Sequence, residues 1–201
     1  MNEVIVDNDF KFEPPKYRNL FFNKQVDQES IGELMEKIIE INDHDERLKK
    51  IYAVYDLDYC PKPIKIYIDS YGGEVYQSFG LLSIMECSKT PIYTIVTGAA
   101  MSCGFLILIH GHKRFGYELS TPLYHQIGSD IWGKAKDIED EYMEIKRLQA
   151  KVEELTIKKT RITKKRLKEI YDYKKNWYMD TNEALNLGVI EEIIYKSKDN
   201  G

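Results

Sequence analysis

Ile92-Tyr93-Thr94-Ile95-Val96-Thr97-Gly98-Ala99-Ala100-Met101-Ser102-Cys103-Gly104 is the stretch on which the fold of this chain turns. The β-branched and aromatic run over 92–97 reads as a buried strand ended by Gly98, and Met101 to Ile109 reads as an apolar helix. Ser102 is therefore expected at a tight strand-to-helix turn, with small residues on both sides. Small neighbours let the backbone turn sharply and leave a hydroxyl exposed beside helix-start N–H groups, which is the geometry of a nucleophile elbow. A turn of small residues packed only for close approach fits the same segment, and Ala-x-Ser-x-Gly alone does not separate the two.

Working outward, Ile64-Lys65-Ile66-Tyr67-Ile68-Asp69 is a strand closed by Gly72-Gly73, followed by a helix from about Glu74 to Ser88. Pro122-Leu123-Tyr124-His125-Gln126 reads as a short strand downstream. Asn19-Leu20-Phe21-Phe22 is a first strand, and Ser30-Ile31-Gly32-Glu33 has capping-box spacing that opens an amphipathic helix through about Asn42. Residues 43–63 are charged, then Tyr-rich, then Cys60-Pro61-Lys62-Pro63, and read as an extension or surface insertion. Near the end, Asp180-Thr181-Asn182-Glu183 caps a short helix that stops at Gly188, and Val189 to Tyr195 is a final strand. Residues 1–17, polar and carrying Pro14-Pro15, read as an irregular amino-terminal arm, and 197–201 as a polar tail, leaving 18–196 as a single domain. Strands alternating with helices imply an α/β fold of repeated βαβ units around a mainly parallel sheet. In such sheets chemistry collects where strands end and helices begin, and Gly73, Ser102 and the region of His125 all lie there.

Residues 134–159 form one long helix in this reading. Ala135, Ile138, Tyr142, Ile145, Leu148, Val152 and Leu155 recur every three or four positions as a single apolar stripe. The stripe serves either packing on its own sheet or a protruding helix that meets another subunit.

Composition narrows the function. The 201 residues are 43% hydrophobic, enough for one sizeable core. A net charge of −4 gives no electrostatic footing for nucleic acid. No apolar run reaches membrane-spanning length, and Met1 to Asp9 carries acid without the apolar core of a secretory signal. Cys60, Cys87 and Cys103 are odd in number and show no metal-ligand pairing, so a reduced, cytoplasmic setting and no metal are expected. No phosphate-binding Gly-Lys-Ser/Thr loop is present, and no cofactor is expected.

Acyl transfer needs a nucleophile, a base, a group that orients the base, and donors for the oxyanion. Ser102 is the candidate nucleophile. Of the four histidines, His44 sits in the charged stretch Asp43-His44-Asp45-Glu46 and reads as solvated, while His110 and His112 flank Gly111 as loop residues. His125 lies in a short apolar strand, where it is either a structural residue or the base.

Taken together and in order, Ile68-Asp69-Ser70-Tyr71-Gly72-Gly73, Gly98-Ala99-Ala100-Met101-Ser102-Cys103-Gly104, Tyr124-His125-Gln126, and Asn182-Glu183-Ala184 with Gly188-Val189-Ile190 resemble the Clp protease proteolytic subunit family, ClpP, and its phage-type relatives. The resemblance covers about residues 18–196. It implies a ClpP/crotonase-type fold and a self-compartmentalising serine endopeptidase that cleaves unfolded polypeptides through an acyl-enzyme. Residue by residue, it makes Ser102 the nucleophile, His125 the general base, and the backbone N–H groups of Gly73 and Cys103 the oxyanion hole. Aligned back from Gly188, Asp172 falls on the triad acid. Gly128, Ser129 and Asp130 match the substrate-binding strand. The long helix matches the handle that interlocks two stacked heptameric rings, and an AAA+ unfoldase is the implied partner. Tyr71 and Ile127 stand where the family has prolines, Asp69 where it has asparagine, and Met101 where it has alanine. The short arm and the long 43–63 link bear on unfoldase docking. A phage capsid-maturation peptidase of the same fold, a non-catalytic structural subunit, and a crotonase-type acyl-CoA enzyme are the alternative functions.

Overall fold

The computed structural model describes residues 18–195; the arm at 1–17 and the tail at 197–201 lie outside the described residues. Its chain order is β1 (Asn19–Phe22), α1 (Gln28–Val54), β2 (Ile64–Ser70), α2 (Val75–Cys87), β3 (Ile92–Met101), α3 (Cys103–Ile109), β4 (Lys113–Tyr117), β5 (Thr121–Tyr124), α4 (Ala135–Lys159), α5 (Lys164–Asp172), β6 (Trp177–Tyr178), α6 (Thr181–Asn186) and β7 (Glu192–Ile194). The sheet runs β1-β2-β3-β4-β7, all parallel, with β5 added to the far end of β3 and β6 antiparallel to β5. This is the α/β, mainly parallel architecture expected from the alternation of strands and helices.

Alternation makes β2. Ile64, Ile66 and Ile68 are fully buried on one face, while Lys65 and Asp69 are exposed on the other. The centre of β3 is buried on both faces, and α3 is buried at every position from Cys103 to Ile109, so the elbow is driven into the core. Helix α1 covers the sheet through Ile31, Leu34, Ile38 and Ile41.

Several boundaries differ from those expected, each for a physical reason. The first helix continues to Val54 instead of ending near Asn42, so much of the supposed insertion is helical. Its extension is tied down at Asp45, whose buried carboxylate accepts from Arg18, from Tyr59 Oη (2.6 Å) and from Thr90 Oγ1 (2.7 Å). Burial alone would raise that carboxyl's pKa; the three donors outweigh it and bring it down to about 2. The capping box uses Asp27 as cap and Ser30 as the third helical residue, in place of Ser30 and Glu33. His44 is buried, not solvated.

Gly98 does not end β3. The strand bulges there: between the pairs Ile68–Val96 and Ser70–Ala100, two steps along β2 are matched by four along β3. Asp69 fills the gap in the ladder by accepting the Ala99 N–H at 2.8 Å, and Thr97 Oγ1 donates to Ile68 O at 3.1 Å. A Cβ on residue 98 would stand 2.7 Å from Asp69 Oδ1, which is why a glycine occupies it. The bulge re-aims the end of β3 away from β4 and onto β5, and so places Ser102.

Candidate active site

Ser102 follows the last residue of β3 and caps α3 with φ +54° and ψ −119°. A non-glycine residue rarely adopts that conformation, which stores on the order of 1–3 kcal/mol of strain. Its side chain makes no capping hydrogen bond, so the hydroxyl is not committed to the helix end. Its N–H donates to Leu123 O at 3.1 Å, which locks the elbow to β5 two residues before His125.

The loop opposite is built on two glycines. Gly72 has φ +96° and Gly73 has φ +149°. Val26 clamps them: its N–H donates to Gly72 O and its carbonyl accepts from Glu74 N–H, both at 2.8 Å. In this parallel bridge the N–H of Gly73 itself points away from Val26. The Cys103 thiol donates to Gly73 O at 3.2 Å, tying this loop to the elbow. Cys103 is the first residue of α3, where a backbone N–H has no intrahelical partner. Burial pushes the Cys103 thiol above its ordinary pKa, against a role as thiolate nucleophile.

Ser102 and His125 line the same two recesses, one apolar and one open. The first, a cavity of about 150 Å³, is walled by Val75, Leu106, Ile127 and Val152, with Gly73 and Gly128 at its margin. The second, wider recess runs past Lys24, Asp69, Tyr71 and Gly72. His125 is half-buried, and burial lowers its pKa; among the described residues no neighbouring charge offsets it. Beyond it, Ile127 N–H donates to Gln149 Oε1 at 3.0 Å, and Gln149 Nε2 donates to Tyr124 Oη at 3.3 Å. Buried Gln149 thus holds the chain on both sides of His125 from α4.

Of the residues singled out in the sequence, Gly73, Ser102, Cys103, His125 and Gly128 meet at this site. Ser129 and Asp130 are exposed beyond it, Ser129 Oγ donating to Glu141 at 3.4 Å. Asp172 lines neither recess. It is the exposed last residue of α5, and its carboxylate accepts from Lys168 Nζ at 2.6 Å. Val26, Gln149, Val75 and Leu106 were not singled out; of the apolar wall, Val152 carried a signal as a member of the long-helix stripe, and Ile127 only as a residue standing where the family has proline. Among the described residues, no cluster of side chains is suited to hold a metal ion.

An uncapped serine at a strained elbow, a histidine on the same recess and a double-glycine loop are joined by similarity. A family model described as Clp protease matches residues 15–197. The chain belongs to the Clp protease family. It is 30% identical over 186 residues to ATP-dependent Clp protease proteolytic subunit 2 of Treponema pallidum, covering 90% of this chain and 89% of the relative. It is 33% identical over 140 residues to the same-named subunit of Treponema denticola, covering 69% of each. The ATP-dependent Clp protease proteolytic subunit of Deinococcus radiodurans is 30% identical over 139 residues, covering 68% of this chain and 67% of that one. The chain is a Clp-type serine protease, and no helix among its described residues is long and apolar enough to cross a membrane.

Proposed function

We propose that the chain is a self-compartmentalising endopeptidase in which Ser102 attacks the scissile carbonyl and His125 is the base. As the Ser102 Oγ–C bond forms, the hydroxyl proton passes to the His125 imidazole. The Gly73 and Cys103 N–H groups receive the oxyanion. Collapse of the tetrahedral intermediate breaks the C–N bond, and the departing amine takes the proton from His125. Water, deprotonated by the same imidazole, then hydrolyses the acyl-enzyme. The lowered pKa of His125 keeps it neutral, as a base must be, at neutral pH.

The observation that carries this reading is the backbone of Ser102: strain held at φ +54°, with the hydroxyl excluded from capping. The apolar cavity beside it suits an apolar substrate side chain, since about 150 Å³ of such space holds a group the size of benzene. Assembly as two stacked heptameric rings is supported by α4. Its second half is buried at Leu148 and Val152, but Ile138, Tyr142 and Met143 on its first half are exposed. The relatives are named as proteolytic subunits of an ATP-dependent protease, which supports an ATP-consuming partner. An AAA+ unfoldase in that role, unfolded polypeptide as substrate and a cytoplasmic setting complete the reading.

A fluorophosphonate probe tests the reading directly. It is expected to label Ser102, located by peptide mass spectrometry, and Ser102→Ala should lose both label and peptide hydrolysis. Label on another residue, or full turnover by the alanine variant, would overturn it.

A further inference from the structure

We infer that Asn176, not Asp172, is the residue that positions the His125 imidazole. The inference rests on the serine-peptidase reading above. A histidine base works when its second ring nitrogen is held by an acceptor, which fixes tautomer and orientation. The antiparallel ladder between β5 and β6 identifies what stands across from His125. Leu123 pairs with Tyr178 and Tyr124 with Trp177. Met179 N–H donates to Pro122 O at 2.9 Å, which extends the same register by one pair. One step in the other direction sets Asn176 opposite His125.

The alternation of the ladder sharpens this. Met179 and Pro122 form a hydrogen-bonded pair, so Tyr124 and Trp177, two along, do as well. Leu123–Tyr178 and the His125–Asn176 position are then the non-hydrogen-bonded kind, where Cα atoms lie about 4.5 Å apart and side chains are closest. Directly opposed residues share a face of the ladder. Tyr124 and Trp177 are both buried on one face, and the register, carried one step past this last pair, sets His125 and Asn176 on the other.

Asp172 has no such place. The turn through Tyr173 and Lys174, the latter at φ +50°, separates it from β6, and Lys168 occupies its carboxylate. The charged groups that share a recess with His125 are Lys24 and Asp69. Lys24 is paired with Glu33 at 2.8 Å, and Asp69 is spent on the Ala99 N–H. Neither serves as acceptor for the ring.

An asparagine Oδ1 can receive the ring N–H and so hold the imidazole, but it carries no charge to stabilise the imidazolium formed during acylation. That agrees with the His125 pKa, which burial depresses with no carboxylate acting against it. The site is therefore built for orientation without electrostatic assistance. A carboxylate in the same place should make it faster.

The test compares Asn176→Asp, Asn176→Ala and Asp172→Asn in the full chain. Each is read by peptide kcat/KM against pH and by NMR titration of the His125 ring. The fluorophosphonate label on Ser102 is measured first. Asn176→Asp is expected to raise the His125 pKa by about one unit, as an opposite charge within 4–6 Å does, and to raise kcat at least tenfold. Asn176→Ala should lower kcat at least tenfold with KM little changed. Asp172→Asn should alter neither the rate nor the titration by more than twofold. Because residues 172 and 176 are both exposed, all three variants should fold. If Ser102 is labelled and the wild type hydrolyses peptides, but Asn176→Asp leaves the titration unmoved or Asp172→Asn collapses the rate, this assignment fails alone. Absence of label on Ser102 would instead overturn the peptidase reading beneath it.

Discussion

Replacing Gly73 by alanine probes the oxyanion hole through its geometry. The new Cβ would stand 2.2 Å from Val26 O, and 3.0 Å from Val26 C and N. Real Cβ atoms essentially never come within 3.0 Å, so the loop and Val26 must separate by about 0.8 Å. Val26 cannot yield alone, because its N–H and carbonyl both hold the loop at 2.8 Å. The loop therefore moves, and the Gly73 N–H moves with it. A misplacement of about 1 Å costs on the order of 100-fold in rate, and outright loss of one oxyanion donor costs ~10²–10³-fold. Since the donor acts on the transition state, the fall should appear in kcat, with KM within a few-fold. The strain of an L-residue at φ +149° should also lower stability by about 1–3 kcal/mol. Gly32→Ala is the matched control: it lies within α1, a Cβ there meets nothing within 4 Å, and it should be active and slightly more stable. Steady-state hydrolysis of a fluorogenic peptide, with thermal melts of both variants, reads the difference. A folded Gly73→Ala with kcat within threefold of wild type would remove Gly73 from the hole.

Three further outcomes follow from Gln149 beside the site, from His110 and from the exposed face of α4. Gln149→Leu should cost about 1–3 kcal/mol by stranding the Ile127 N–H, and should lower kcat more than it raises KM, because the segment carrying His125 loses its anchor to α4; a variant that melts earlier but turns over normally would make Gln149 purely structural. Burial brings the His110 pKa down to about 4 from an ordinary 6.5, so the unfolded chain takes up this proton first as pH falls. Stability is then complete above pH 6.5 and lost progressively down to about 4, by up to ~3 kcal/mol, and denaturant midpoints at pH 7 and 4.5 should show that slope flattened in His110→Leu. Glutamate at both Ile138 and Tyr142, exposed on α4, should leave the fold intact and reduce the assembly to single rings or smaller species in light scattering; an unchanged assembly would place the ring contact elsewhere.

Local pattern carried the parts of the molecule that are locally determined. The alternation of Ile64, Ile66 and Ile68, the apolar run into Ser102 and the stripe of the long helix were all legible, and the observed strands and α4 follow them. What escaped was set by pairing across the chain. Lys-Arg-Phe-Gly-Tyr at 113–117 has no strand period, yet forms β4 between β3 and β7. β6 is two residues long and exists only because β5 offers it an edge. Without β6 there is no register across from the segment that carries His125, and counting back from Gly188 leads to Asp172, which the structure sets at the exposed end of α5. The bulge at Gly98 was likewise invisible, because Asp69, not any residue of β3, completes the ladder there.

β5 has a further consequence for how nucleophile and base are coupled. Ser102 holds a backbone conformation that costs on the order of 1–3 kcal/mol, so something must oppose its relaxation. The fully buried α3 holds it from one side, and the Leu123 carbonyl from the other. Leu123 is also the residue whose register with Tyr178 fixes where His125 emerges. The strand that strains the serine is therefore the strand that delivers the histidine, and a displacement of β5 changes both groups at once. β5 is held by β3, by β6 and, through Tyr124 Oη, by Gln149 on α4, so α4 and the segment beyond it bear on the chemistry by way of β5. Substitutions on either should therefore act on the rate of acylation in step with how far they loosen β5, and least on the binding of short peptides, which meet the preformed apolar wall at Val75 and Leu106.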